Sequence, residues 1–180
     1  MSAKPIVTFR SSVAAPADPA SIYALLADLR SHLVWSGERA PDRNFRLLSL
    51  NAPAREATVG DRFSSTGSNI LSMRFFDTSV VVDAQPGKSF GFETESRLQR
   101  KHRPAWHARF VHRYELAPDG EGTTISYACE VWPQNYVPWW LSPLMRPMTR
   151  MGVLRAIGRN MANLAAMAGT EAASAPQGRA

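Results

Sequence analysis

The side chains that the sequence singles out for acid–base chemistry lie on two alternating segments. His112 and Tyr114 belong to the first segment, and Tyr127 belongs to the second. A neutral imidazole can donate a hydrogen bond to a ligand oxygen or accept a proton from it, and its reference pKa of about 6.5 suits that work near neutral pH. His112 and Tyr127 are therefore the candidate catalytic residues of an enzyme. The alternative is a core histidine that a carbonyl or a tyrosine hydroxyl satisfies.

Two arginines extend the set of candidates. Arg150 falls at the same helical angle as Ile157 and Ala168, on the apolar stripe of the last predicted helix, where it can meet a carboxylate or enolate oxygen. It can equally extend to the rim of the fold or pair with an acidic side chain. Arg74, Phe75 and Phe76 follow one another in a predicted strand and do not fit its alternation without a bulge. The direction of the Arg74 side chain is therefore left open.

Other chemical patterns are weak. The four histidines and the single Cys129 have no metal-ligand spacing, because His107 and His112 are five residues apart on one strand and face opposite sides. No glycine-rich turn joins a strand to a helix as a phosphate-binding loop does, and no Gly-x-Ser-x-Gly sequence positions a serine nucleophile. We expect neither a metal nor a cofactor.

Alternation also determines which side chains share a face with His112. In the strand predicted over 104–117 the even-numbered positions are mostly aromatic, and in the strand predicted over 122–132 the odd-numbered positions are apolar or aromatic. These faces should point inward, where they form either a filled core or the wall of a ligand cavity. The candidate ligand-binding residues are Trp35, Phe76, Phe90, Phe92, Trp106, Phe110, His112, Tyr114, Tyr127, Cys129, Arg150, Leu154 and Ile157.

Periodicity and turn residues predict the elements that position these side chains. A strand over 5–13 precedes a helix over 19–28, which Asp18 caps with Pro19 at its first position, and a second short helix carries Trp35. Short turns between the later strands make the sheet antiparallel. Six further strands are predicted over residues 45–51, 59–66, 73–84, 88–96, 104–117 and 122–132.

The last predicted helix supplies a cover for the sheet. It begins near Pro147 and ends at about Ala168, with one apolar side that can lie on the sheet. The residues after Gly169 include no aromatic or large aliphatic side chain. We therefore expect one domain over residues 1–169 and a disordered tail over residues 170–180.

The composition is that of one globular domain. The chain has 180 residues, of which 44% are hydrophobic and 20% charged, and it is long enough to bury a core without a disulfide. Neither a secretory signal nor an apolar stretch of about 20 residues is visible, so a cytoplasmic location is expected. The net charge of +6 favours contact with acidic partners.

The densest positive cluster covers residues 97–103, in a loop between two strands. Such a run is ordinarily a solvated loop. It can also attract an anionic membrane surface, to which Trp139 and Trp140 near the last helix would contribute. No recognition helix or RNA-binding strand signature accompanies the charge, so nucleic acid is an unlikely partner. The sequence does not determine the oligomeric state.

The order of elements resembles the helix-grip fold of the polyketide cyclase/dehydrase and START-related superfamily, often called SRPBCC. The resemblance covers about residues 5–168 and rests on packing and turn motifs: residues 17–28, residues 80–94, and Tyr114-Glu-Leu-Ala-Pro with Gly122-Thr-Thr-Ile-Ser. It implies an α+β fold. A curved, seven-stranded antiparallel sheet would wrap around a long C-terminal helix, with two short helices between strands 1 and 2 and a deep, mostly apolar cavity.

Two functions from different classes are compatible with that fold. The first is binding or transport of a small hydrophobic or aromatic ligand, such as a lipid, a quinone or a polyketide-like compound. We favour it because a cavity is better supported than a coupled acid–base pair. The alternative is a cyclase/dehydrase-type enzyme in which His112, with Tyr114 or Tyr127, handles protons during an aldol-type closure. A minor alternative is a lipid carrier at an anionic membrane surface.

Overall fold

A computed structural model describes residues 5–38, 46–68, 73–135 and 146–174 of the chain. These residues form one sheet and three α-helices, and a π-helical turn over Val34–Glu38 continues the second helix. The strands are β1 (Val7–Ala15), β2 (Arg46–Asn51), β3 (Arg62–Ser68), β4 (Arg74–Gln85), β5 (Ser89–Gln99), β6 (Trp106–Asp119) and β7 (Gly122–Pro133). The helices are α1 (Pro19–Ala27), α2 (Ser31–Leu33) and α3 (Arg146–Ser174).

All seven strands pair in an antiparallel sheet with the order β1-β7-β6-β5-β4-β3-β2. Among the strands that the structure describes, only β1 and β7 pair although they are distant in the chain. Register shifts at Leu47/Ser49 in β2 and Val81/Asp83 in β4 mark irregularities of the kind that bend and twist a strand. The predicted fold class, a curved seven-stranded antiparallel sheet with two short helices and a long C-terminal helix, is confirmed.

The two short helices lie between β1 and β2, as predicted. Asp18 caps α1, because its Oδ1 accepts hydrogen bonds from the backbone N–H groups of Ala20 at 2.9 Å and Ser21 at 3.0 Å. Pro19 takes the first helical position, which needs no backbone donor. The π-helical turn after α2 brings Trp35 into the core, where it is almost completely buried.

Strand parity places the core on the side of the sheet that faces α1 and α3. The even-numbered residues Trp106 and Tyr114 of β6 are buried, whereas His107 and Glu115 are exposed. The odd-numbered residues of β7 are buried in the same way, including Ile125, which is fully inaccessible. The parity predicted for these two strands is therefore confirmed.

α3 begins near its predicted start but ends later than predicted. Its predicted end is near Ala168, with a disordered tail from residue 170, whereas the helix runs to Ser174. Gly169 lies inside the helix and approaches Pro16 closely: a Cβ there would lie 2.9 Å from Cγ of Pro16. Alanine and glutamate among the residues that follow favour continued helix. Residues 175–180 lie outside the described residues.

Candidate functional site

A cavity of about 250 Å³ lies between the inner face of the sheet and the helices. All seven strands contribute to its wall, together with α3, the π-helical turn and His32 of α2. Its volume is just below the range of about 300–1,000 Å³ that is usual for small-molecule sites. The wall is mainly apolar, and the sheet contributes two distinct groups of polar side chains to it, while Asn160 of α3 donates a hydrogen bond to Ser36 of the π-helical turn at 3.0 Å.

The first group belongs to an aromatic wall, which we define as Phe92 of β5, Phe110, His112 and Tyr114 of β6, and Tyr127 of β7. The cross-strand register places His112 opposite Phe92, and their rings stack with centroids 4.4 Å apart and planes 19° apart. The rings of Tyr114 and Tyr127 are also opposite one another, with centroids 4.8 Å apart. Such a surface suits the faces of a flat, apolar ligand.

His112 and Tyr127 of the aromatic wall hydrogen-bond to one another. Nδ1 of His112 lies 2.8 Å from the hydroxyl oxygen of Tyr127. The hydroxyl donates to Nδ1 in one imidazole tautomer, and Nδ1–H donates to the phenolic oxygen in the other. Among the described residues, Nε2 of His112 has no recorded hydrogen-bond partner. That nitrogen is therefore available to a ligand in the cavity.

The environment of this pair holds both groups neutral. Burial, with a smaller contribution from His32, lowers the pKa of His112 to about 3. Burial also raises the pKa of Tyr127 well above its ordinary value, and the neighbouring Cys129 and Tyr114 act in the same direction. An imidazole that is difficult to protonate and a phenol that is difficult to ionise are poor partners for proton transfer near pH 7. The reference pKa used in the sequence analysis therefore does not apply to His112.

A second histidine, His32, lies in the wall although the sequence analysis did not select it. Its Nε2–H donates to the carbonyl oxygen of Leu26 at 2.9 Å, and its ring lies 4.7 Å from that of Trp35. Burial lowers its pKa to about 4. His32 is thus a core histidine that a carbonyl satisfies, and the sequence offered only its position in a short helix as a signal.

The second polar group lies on β3, β4 and β5, and we call it the polar row: Ser65, Asp77, Ser79, Thr94 and Ser96. Asp77 pairs across the sheet with Ser65 on one side and with Ser96 on the other. The hydroxyl oxygens of Ser79 and Thr94 are 2.8 Å apart and hydrogen-bond to one another. Every member of the polar row lines the cavity.

Asp77 is the unusual member of the polar row. Burial raises the pKa of its carboxyl group to about 7, and a hydrogen bond from Ser96 only partly opposes that shift. Its Oδ1 is buried and has no hydrogen-bond partner among the described residues. Asp77 is not among the sequence-predicted site residues, because the direction of residues 74–76 is ambiguous in the sequence. The alternation Phe75, Asp77, Ser79 is the signal that would have found it.

Solved structures resemble this fold, although no family model and no curated protein matches the sequence. TTHA0849 from Thermus thermophilus matches with a TM-score of 0.61 and 17% identity, over 94% of this chain and 100% of that chain. The di-domain ARO/CYC StfQ of the steffimycin biosynthetic pathway matches with a TM-score of 0.61 and 14% identity, over 93% of this chain and 52% of that chain. Ara h 8.0201 matches with a TM-score of 0.55 and 10% identity, over 91% and 98% of the two chains.

The chain has the helix-grip fold, which these solved structures share. The fold that the resemblance to the SRPBCC superfamily implied is thereby confirmed. At these identities the likeness establishes the fold, and the ligand has to be argued from the cavity itself.

The helix-grip fold brings most of the sequence-predicted residues to the cavity. Phe90 and Leu154 do not line it: Phe90 is fully buried in the core beside Tyr23 and His32, and Leu154 packs against that core. The predicted residues that line the cavity are Trp35, Phe92, Trp106, Phe110, His112, Tyr114, Tyr127, Cys129 and Ile157.

Two other candidates lie outside the cavity. Phe76 is 42% exposed on the outer face of the sheet, where the guanidinium of Arg97 lies 5.4 Å from its ring centroid. The reason is parity, since Phe75 points inward and Arg74 and Phe76 therefore point outward. Arg150 is exposed, and the first buried side chain among the described ones of α3 is Val153. A guanidinium is costly to bury without an acidic partner.

The membrane-related features are only partly described. Trp139 and Trp140, which the sequence analysis associated with a membrane surface, lie outside the described residues. Lys101, His102 and Arg103 of the basic cluster are exposed. Among the described helices, none has the length and apolar character that crossing a membrane requires. The described residues contain no group of three or more side chains that could hold a metal ion.

Proposed function

We propose that the protein binds or carries a small hydrophobic or aromatic ligand inside the cavity. The observation that supports this most strongly is the aromatic wall, because its rings pack among core side chains on one side and border an open volume of about 250 Å³ on the other. Wall atoms beside an open volume lack the dispersion contacts that a packed interior provides. A ligand that fills the volume restores those contacts and stabilises the fold.

The state of the His112–Tyr127 pair favours binding over catalysis. Both groups are neutral over the physiological range, because burial moves their pKa values away from it. Nε2 of His112 is well placed to exchange a hydrogen bond with a ligand oxygen without transferring a proton. The pair therefore orients a ligand in this proposal.

A cyclase/dehydrase-type enzyme is the second candidate function. Two observations favour it: the 2.8 Å contact between an imidazole and a phenol in the wall, and the likeness of the fold to the ARO/CYC StfQ. It requires a bound substrate to bring the pKa of His112 back toward neutrality. If a cyclisation substrate were found, unchanged turnover by His112→Ala and Tyr127→Phe variants would exclude these residues as the proton-transfer groups.

The binding proposal can be tested with an apolar probe and variants that fill the cavity. Cys129 is buried and lines the cavity, whereas Ser126 is exposed on the same strand. We expect 2-methylnaphthalene to raise the melting temperature of the wild-type protein and of a Ser126→Phe control. The same probe should not affect Cys129→Phe, whose added ring occupies the volume.

A second cavity-filling variant, Val131→Phe, covers the case in which Cys129→Phe fails to fold. Circular dichroism of each variant establishes that the fold is intact before binding is compared. A probe-induced shift that is equal in the wild-type protein and in a folded cavity-filling variant would contradict the proposal.

A further inference from the structure

Asp77 is the most distinctive charged group of the cavity. It is the one acidic side chain among the described residues of the wall, and no lysine or arginine among them lines the cavity. An ionised carboxylate in this position has no protein countercharge in the described wall, and burial of such a group is costly. The cavity therefore contains a polar group that the described residues leave incompletely satisfied.

Hydrogen bonding at the polar row confirms that the deficit is local to Asp77. Ser79 and Thr94 satisfy one another at 2.8 Å, and Ser96 supplies a hydrogen bond to the carboxyl group of Asp77. Oδ1 of Asp77 receives none from the described residues. The terminal torsion of an aspartate is soft, so a modest rotation can turn either carboxyl oxygen toward the cavity.

Asp77 lies far from the His112–Tyr127 pair along the sheet. Asp77 pairs with Ser96 and His112 pairs with Phe92, and these two partners are four residues apart on β5. Four residues of a strand span about 13 Å. An elongated ligand can therefore contact the aromatic wall with its ring system and the polar row with a substituent at its end.

Resting on the proposed function, we propose that Asp77 is the specificity-determining residue of the cavity: it selects apolar ring compounds that carry a hydrogen-bond donor, a hydroxyl or a protonated amine, and it rejects those that carry a carboxylate. A donor supplies the hydrogen bond that Oδ1 lacks, and a protonated amine also neutralises the charge. A ligand carboxylate brings a second negative charge to the same end of a wall whose described residues offer no lysine or arginine.

The test compares four probes that share one ring system: 2-methylnaphthalene, 2-naphthol, 2-naphthylmethylamine and 2-naphthoate. Calorimetric titration at pH 8 should show the amine and the naphthol binding the wild-type protein more tightly than 2-methylnaphthalene, by roughly 10-fold or more for a hydrogen bond to a charged group. The naphthoate should bind more weakly than 2-methylnaphthalene. The difference between the amine and the naphthol measures how much an opposite charge adds to the hydrogen bond.

Two near-isosteric variants make the test specific. Asp77→Asn should reduce the spread among the four probes to a few-fold while retaining 2-methylnaphthalene binding. Asp83→Asn is the matched control, because Asp83 lies on the same strand outside the cavity wall and hydrogen-bonds to Ser89. It should keep the wild-type order.

The outcomes separate this inference from the proposed function. Binding of the naphthoate as tightly as the amine, or an unchanged order of affinities in folded Asp77→Asn, would overturn the role of Asp77 and leave the cavity as a binding site. Failure of all four probes, including 2-methylnaphthalene, would instead overturn the proposed function and the inference with it.

Discussion

The aromatic wall and the polar row belong to one sheet, but they differ in how far their polar groups are hydrogen-bonded. In the aromatic wall, Nδ1 of His112 and the hydroxyl of Tyr127 hydrogen-bond to one another at 2.8 Å, so each of these two atoms has a partner without a ligand, and only Nε2 of His112 is left for one. In the polar row, Oδ1 of Asp77 is buried and lacks a partner among the described residues. A closed pair contributes to stability and orientation, whereas an open group gains most from a ligand. This difference places ligand discrimination at Asp77 and not at the histidine that the sequence made conspicuous.

The largest change in the free energy of unfolding is expected when the hydrogen bond between His112 and Tyr127 is removed. His112→Ala removes a stacked ring and leaves the Tyr127 hydroxyl without its histidine partner, so the free energy of unfolding should fall by about 3 kcal/mol. His107→Ala, on the exposed face of the same strand, should change it by less than about 0.5 kcal/mol. Denaturant unfolding measures the free energy of unfolding of both variants. Similar losses for the two would contradict a stabilising hydrogen bond between His112 and Tyr127.

Substitution of Asp77 should change the free energy of unfolding by less, and by an amount that depends on pH. Its pKa in the fold, about 7, is above its ordinary value of 3.8, so the folded state holds this proton more tightly than the unfolded state does. Stability from this group is therefore complete below about pH 4 and is lost as the pH rises toward 7. Relative to the wild-type protein, Asp77→Asn should gain stability between pH 5 and pH 8, on the order of 2 kcal/mol. A pH-independent difference between the two proteins would contradict an unsatisfied carboxyl group.

His32 provides the opposite dependence on pH. Its pKa in the fold is about 4, below its ordinary value of 6.5, so the unfolded state takes up the proton first as the pH falls. Stability from this group is present above about pH 6.5 and is lost on acidification toward pH 4. His32→Gln can still donate to the Leu26 carbonyl, and it should reduce the slope of stability against pH by up to about 1.4 kcal/mol per pH unit. An unchanged slope, measured beside a His107→Gln control, would argue against a neutral His32.

The smallest change in stability and in probe binding is expected from substitutions on the outer face of the sheet. Phe76 stacks beneath Arg97 and does not line the cavity, so Phe76→Ala should lower stability by less than about 1 kcal/mol and leave the affinity for 2-methylnaphthalene unchanged. Phe75→Ala, one residue earlier, enlarges the cavity and should weaken that affinity several-fold. Equal effects on probe binding would contradict the assignment of the two faces of β4.

Local patterns in the sequence predicted most of the fold for identifiable reasons. Asp18 followed by Pro19 predicts a helix start, because the first backbone N–H groups of a helix need an acceptor and Asp18 supplies one. Alternation in β6 and β7 predicts a buried face, because successive side chains of a strand point to opposite sides of the sheet. The end of α3 could not be predicted, because Gly169 resembles a terminator and its contact with Pro16 is a tertiary one.

The candidate site was less predictable than the fold. Phe90 and Phe92 share a face of β5, yet only Phe92 lines the cavity, because α1 and α2 cover Phe90 and no pattern along one strand contains that information. Asp77 was missed since three consecutive residues, Arg74 to Phe76, leave the parity of β4 ambiguous. The pKa of His112 depends on burial from several elements at once, which sequence spacing does not encode.

Native mass spectrometry of the protein purified from its own host shows most directly whether the cavity holds a small ligand. We expect a retained small molecule that is apolar, neutral or basic, and that is lost from a folded Cys129→Phe variant but kept by Ser126→Phe. Protein that never retains a small molecule and that no apolar probe stabilises would contradict the binding function, and a retained carboxylate would contradict the role assigned to Asp77.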